Sequence, residues 1–349
     1  MVFSFQNGNQ NVSLRQRFLS VQTLSSFFVA LIFIYFLTTQ FDIDWRKTWV
    51  NVRGMDFGVY FLAILVYYLS FIFRGLRWRI LVISAGISER DSRELPSLWK
   101  FSQLILIGWF VNSIAWLRLG DAYRAYALSE DSDKKFSWSL GTVFAERMVD
   151  TATVLILLVL GIGMLSGAIE SNNISYLAIG AVILVLILAI VILLMKSSGT
   201  KLAKFLPWGL NIAYNRFHKG TLGSLSHPRH LLVIIGLSFI GWLLEVGRLY
   251  FVANALGINV EFALILVTAL GHAILSTIPT PGGLGAVEPG VTGILTLGLV
   301  SENAVSITLV DRSISYLSIL IIGGIAFLAF QLSHARQKQR HPKLFKSKS

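Results

Sequence analysis

Pro279-Thr280-Pro281-Gly282-Gly283-Leu284-Gly285-Ala286-Val287-Glu288 lies between two apolar segments of the chain. Its prolines lack amide donors and its glycines lack Cβ atoms, so no regular helix runs through it. Bare backbone at membrane depth has to be buried in protein or line a wet cavity. Broken segments of this kind are where many transporters hold their substrate. A tight loop at the membrane surface is the plainer alternative. The rest of the chain favours the cavity.

The surroundings are apolar throughout. Of 349 residues, 54% are hydrophobic and only 14% charged, and several apolar runs approach the ~20 residues that span a bilayer. The fold class that follows is an all-α polytopic membrane protein, since the short alternating strands of a β-barrel are absent. Expected spans run from about Leu19 to Thr38, Phe57 to Val82, Ser139 to Leu165, Ile174 to Met195, Leu231 to Leu256 and Val305 to Phe330. The first has no small-residue cleavage site and reads as a retained helix, not a signal peptide. Without cysteine there is neither a disulfide nor a thiolate metal site. No Walker loop, metal-ligand cluster or Ser/His/Asp arrangement is recognisable, so no cofactor is expected. The net charge of +12 falls mostly in loops and tail, a pattern of topology and anionic-lipid contact and not of nucleic-acid binding.

Lysine and arginine set the orientation. The loop after the second span, the Lys134–Lys135 loop, the Lys196–Arg229 loop and the polybasic tail (334–349) read as cytoplasmic. The loops near Ser171 and Asn259, and the one from Pro281 to Asn303, carry no Lys or Arg and read as external. One crossing per apolar run contradicts two of these assignments. They agree if 101–121 enters and leaves on the cytoplasmic side and 262–300 on the outer side. About six full spans and two facing re-entrant hairpins result, with both termini cytoplasmic and the cell membrane as the expected location.

The chain also repeats itself. Gly75-Leu76-Arg77-Trp78-Arg79 resembles Val246-Gly247-Arg248-Leu249-Tyr250, with Arg77 and Arg248 at an offset of 171. Leu119-Gly120 matches Leu284-Gly285, and Glu146-Arg147 matches Asp311-Arg312, both at an offset of 165. Three ordered matches at nearly one offset argue for a duplication. Repeat 1 covers about 57–165 and repeat 2 about 231–330. The topology makes the copies inverted, as in many transporters.

Ionisable side chains inside spans are costly and persist where paired or facing water. Glu245 and Arg248 share a helical face and read equally as a helix-fastening ion pair or a substrate contact. Glu146 and Asp150 also share a face, with Arg147 in reach of Asp150; as acids near a helix start they are open to a purely structural reading. Arg74, Arg77 and Arg79 lie near the cytoplasmic interface, where snorkelling explains Arg79 and the repeat partner Arg248 argues for a site role at Arg77. Arg124 and Arg312 stand near the hairpins, where a guanidinium fork suits phosphate. Asp121 and Glu288 occupy corresponding hairpin ends and suit a cation, a proton or an arginine. His272 reads as a packing histidine before a proton relay.

With these residues in view, the chain resembles the flippase-like membrane domain of the lysylphosphatidylglycerol synthase family, of the multiple peptide resistance factor type. The resemblance rests on Asn112 followed by Arg118-Leu119-Gly120-Asp121-x-x-Arg124, on Glu146-Arg147-x-x-Asp150, and on the Pro281-Gly282-Gly283-Leu284-Gly285-x-x-Glu288 element with Arg312 beyond. It covers nearly the whole chain. One departure is Ala115-Trp116, where the family often has a proline. The resemblance implies lipid translocation between leaflets, or a related role in handling lipid-linked substrates. The family's soluble aminoacyltransferase unit is not expected here, because the chain stops soon after its last helix.

The expected function is therefore a flippase-like transporter of an anionic lipid or polyprenyl-phosphate-linked substrate, not an enzyme, with membrane lipids as partners. An integral-membrane lipid-modifying enzyme, using Asp121, Glu146 or Glu288 as acid or base, is the alternative. So is an accessory subunit of a lipid or glycan biosynthesis system. A homo-oligomer or a biosynthetic-enzyme partner is compatible with the sequence.

Overall fold

The computed structural model describes residues 44–86, 95–132, 134–168 and 207–340, with 178–180, 182–187 and 190 between the last two blocks. The expected span from Leu19 to Thr38, most of that from Ile174 to Met195, and the end of the basic tail lie outside the described residues. Every described element is helical.

Helix α1 (Trp45–Arg53) lies where the sequence suggested only a charged loop. Asp44 caps it by accepting from the amides of Arg46 and Lys47, and Gly54 closes it. The bond from Lys47 holds the Asp44 carboxyl below the usual carboxylate range. Trp49 and Val50 stay exposed, while Asn51 reaches Asn303 at 3.1 Å and fixes the helix to the start of α10 (Ser301–Arg312).

Two long helices form the centre. Helix α2 (Phe57–Ser84) and helix α7 (Pro228–Ala255) are each 28 residues long, and they pack on each other. Both their starts and their ends stand at the offset of 171. Both are apolar enough to cross a bilayer, as are 136–166 in α5 (Phe136–Ala168) and the stretch from Ser301 to Ser333. Phe61, Leu65 and Leu69 of α2 are exposed, as are Ile321 and Ile325 near the C-terminus. A bilayer covers such a surface at no cost, so the helices are held by close packing and internal polar bonds.

Two helix–turn–helix hairpins complete the frame. The first is α3 (Leu98–Ile114), a tight turn at Trp116–Arg118 and α4 (Leu119–Asp131). The second is α8 (Phe262–Leu275), a turn at Pro281–Gly283 and α9 (Val287–Leu295). The turns correspond at the offset of 165, and each has two consecutive positive φ angles. They are 62° and 52° at Leu117 and Arg118, and 60° and 71° at Gly282 and Gly283. The tips touch, the Leu117 amide donating to the Pro279 carbonyl at 3.3 Å. Within the first hairpin α3 and α4 cross with backbones in contact, because a Cβ on Gly120 would overlap the Gly108 carbonyl oxygen.

Helix α6 (Trp208–Ser224) lies within the expected basic loop and packs on α5, where Thr221 Oγ1 donates to the Gly141 carbonyl at 3.1 Å. Helix α10 runs on through a π-helical stretch, Ser313–Gly323, into α11 (Gly324–Arg340). Hydroxyls of α2 brace that stretch: Tyr60 to Ser313 and Tyr68 to Ser318, both at 2.8 Å.

Candidate functional site

Where the hairpin tips meet, α2, α5 and α7 leave a cavity of about 500 Å³. Arg74, Arg118, Arg147, Arg248 and Arg312 line it, with Asp121, Asp150 and Glu245, and apolar and aromatic side chains make up most of the remaining wall. Such a chamber suits a small ligand group held by a few placed polar side chains.

The charges fall into three bonded groups. Arg77, almost fully buried on α2, binds Asp150 at 2.5 and 2.9 Å and Glu146 at 2.7 Å. The other oxygen of Glu146 accepts from Arg124 at 2.7 Å, and Asp121 accepts from Arg147 at 2.9 Å. On the other side Arg74 binds Glu245 at 3.2 Å, Glu245 accepts from Arg248 at 3.2 Å, and Arg248 reaches Asp311. Arg312 binds Glu288 at 2.8 Å and donates to the Gly282 carbonyl at 3.0 Å. Aromatic faces cover the guanidinium groups, with Arg74 between Trp109 (5.2 Å) and Trp242 (4.8 Å) and Arg312 over Tyr316 (4.9 Å).

The pairs recur between the two halves, at the offsets seen in the sequence except for the carboxylates Asp121 and Glu288, which occupy corresponding hairpin ends. Arg77–Glu146 corresponds to Arg248–Asp311, and Arg147–Asp121 to Arg312–Glu288. Hairpin ends match as well: the Gly120 amide donates to Asn112 at 2.8 Å, and the Gly285 amide to Glu288 at 2.9 Å. Arg74 and Glu245, themselves at the offset of 171, pair directly across the α2–α7 contact.

Of the residues singled out in the sequence, Asn112, Asp121, Arg147, Asp150, Glu245, Arg248, Gly282 and Arg312 line the cavity. Arg77, Arg124, Glu146 and Glu288 lie behind its wall and hold the charges that do; Pro281, Gly283 and Gly285 shape the turn. Glu146 and Asp150 sit more than two turns inside α5, too deep for a helix-start dipole to explain them. Sequence reasoning did not place Arg74, Arg118 or His272 in the site. For Arg74 the signal was available, since it precedes Glu245 by the same offset that relates Arg77 to Arg248. Arg118 donates to the Ser276 carbonyl of the other hairpin at 2.9 Å, and His272 lines the cavity beside Asp311.

With this geometry in view, the comparisons fit the whole frame. The model of the lysylphosphatidylglycerol synthase TM region matches residues 23–323. The chain belongs to that family. It is 32% identical over 220 residues to a UPF0104 membrane protein of Methanocaldococcus jannaschii, covering 62% of this chain and 93% of that one. A UPF0104 membrane protein of Pyrococcus horikoshii is 25% identical over 299 residues, covering 78% and 87%. Both matches and the apolar helices mark a multi-pass membrane protein of a lipid-related family.

Proposed function

We propose that the protein is a flippase-like transporter that carries an anionic lipid, or a polyprenyl-phosphate-linked substrate, between leaflets with its headgroup in the cavity. The observation that carries this reading is the cluster of five arginines on the wall of one chamber at the meeting point of two hairpins. A phosphate leaving the aqueous interface needs compensating charge at depth, and guanidinium groups supply it with directed donors. The acyl or prenyl chains stay in the bilayer, because the chamber has room for the headgroup alone.

The equal helices, the matching turns and the repeated ion pairs support an inverted pair of repeats around this chamber. With the expected spans from Leu19 to Thr38 and from Ile174 to Met195, the four long helices make up the six crossings of that reading. The six carboxylates of the cluster are each paired with arginine, which leaves none of them free as a general base and favours transport over lipid modification.

Reconstitution into liposomes carrying fluorescent phosphatidylglycerol in one leaflet tests the proposal. Exchange well above that of empty liposomes is expected, with less for a phosphatidylcholine probe. Rates equal to protein-free vesicles for every anionic lipid tried would overturn it. Chemically altered lipid would point to the enzyme reading instead.

A further inference from the structure

The charges around the cavity do not cancel. Seven arginines (74, 77, 118, 124, 147, 248 and 312) face six carboxylates (121, 146, 150, 245, 288 and 311) around the cavity, an excess of one positive charge that stands in the group of Arg77, Arg118, Arg124 and Arg147. Among the described residues the wall contains one imidazole, His272 on α8, and the lining includes neither lysine nor cysteine.

His272 Nδ1 lies 3.2 Å from Asp311 Oδ2, and the other oxygen of Asp311 takes Arg248. Asp311 Oδ2 is buried and makes no hydrogen bond, so a charge on the ring has a carboxylate oxygen facing it. The elements around α8 bring Arg147 and Asp150 from α5, Glu245 and Arg248 from α7, Glu288 from α9, and Asp311 and Arg312 from α10. Asp311 is the carboxylate in contact with the ring.

We propose that this cavity binds a phosphate anion together with a proton, and that His272 is the proton's site. The proposal rests on the transporter reading and supplies its coupling ion. A proton from the aqueous side adds to the ring nitrogen that lacks one and no other covalent bond changes. The imidazolium then competes with Arg248 for Asp311, so Arg248 is held less firmly and presents more of its field to the anion. The excess charge rises from one to two, which also favours the anion. By linkage the bound anion must favour the proton to the same degree. Imidazole is the side chain suited to this role, since its charge ordinarily changes between about pH 5 and pH 8.

The test is calorimetric titration of the full chain in detergent with short-chain phosphatidylglycerol, whose phosphodiester does not itself titrate in this range. Titrations are run from pH 6 to pH 8 in buffers of different ionisation enthalpy, which counts protons. The wild type should take up a proton on binding and bind about tenfold tighter at pH 6, the gain that a one-unit displacement of a proton equilibrium carries. His272→Gln keeps a donor for Asp311 without a titrating nitrogen, so it should bind with no proton uptake and no pH dependence. Wild-type binding without proton uptake would overturn the coupling while leaving the anion site standing. Uptake that persists in H272Q would remove His272 from the role. Failure of the wild type to bind the lipid at any pH would sink both the coupling and the transporter reading.

Discussion

Arginines that look alike in the sequence occupy two different positions in the site. Arg77 is buried and doubly paired, with Glu146 and Asp150 at 2.5–2.9 Å, whereas Arg118 keeps a side chain 28% exposed and approaches Asp121 only at 3.9 Å. Arg77→Ala takes the shared partner from two buried carboxylates and should cost about 3–5 kcal/mol. Arg118→Ala loses one hydrogen bond to the Ser276 carbonyl and should cost about 1–2 kcal/mol, while removing a cavity charge. Thermal unfolding in detergent together with leaflet exchange separates them. The first variant should fail mainly in stability, the second mainly in transport, and equal stability losses would refute the distinction. The sequence pointed to arginines and acids in matched places, because buried charge is rare enough in apolar spans to stand out. It did not say which lined a chamber and which stood behind. That depends on helix rotation and crossing: Arg74 and Arg77 are one turn apart on α2, yet only Arg74 reaches the cavity.

The second hairpin was legible because its break is written in proline and glycine. The first was legible only through the charge of its flanking loops, since its turn at Trp116-Leu117-Arg118 contains no breaker. Leu117 and Arg118 accept left-handed backbone, at about 1–2 kcal/mol per residue, under tertiary contacts. These are the Leu117 amide on Pro279, the Arg118 guanidinium on Ser276 and the Gly120 amide on Asn112. Local sequence does not carry such information, nor did it mark the π-helical stretch after Arg312 that carries Ser315 and Tyr316 into the cavity wall. The close crossing of α3 and α4 is the element's weakest tolerance. Gly120→Ala sets a methyl against the Gly108 carbonyl and should lower stability by at least the ~1–3 kcal/mol of ordinary overpacking, because backbone cannot swing aside. Leu117→Gly relieves the left-handed strain and should leave the melting temperature equal or higher. A silent Gly120→Ala would show that the two helices do not cross as closely as described.

At the scale of the molecule, the fold places two hairpins tip to tip around one chamber between helices of equal length. Proline and glycine located one hairpin, loop charges the other, and the recurring offsets in the numbering related them. The expected span from Leu19 to Thr38 lies outside the described residues. The transport reading requires the hairpins to enter from opposite faces of the membrane, so that a headgroup in the chamber has a route to each leaflet. The chain contains no cysteine, so single cysteines report without background. Exposed Ser97 and Lys135 flank the first hairpin, and exposed Glu261 and Val300 flank the second. In sealed vesicles of known orientation, with a membrane-impermeant maleimide, S97C and K135C should label only from the cytoplasmic face, and E261C and V300C only from the outer face. Labelling of all four from one face would contradict the account.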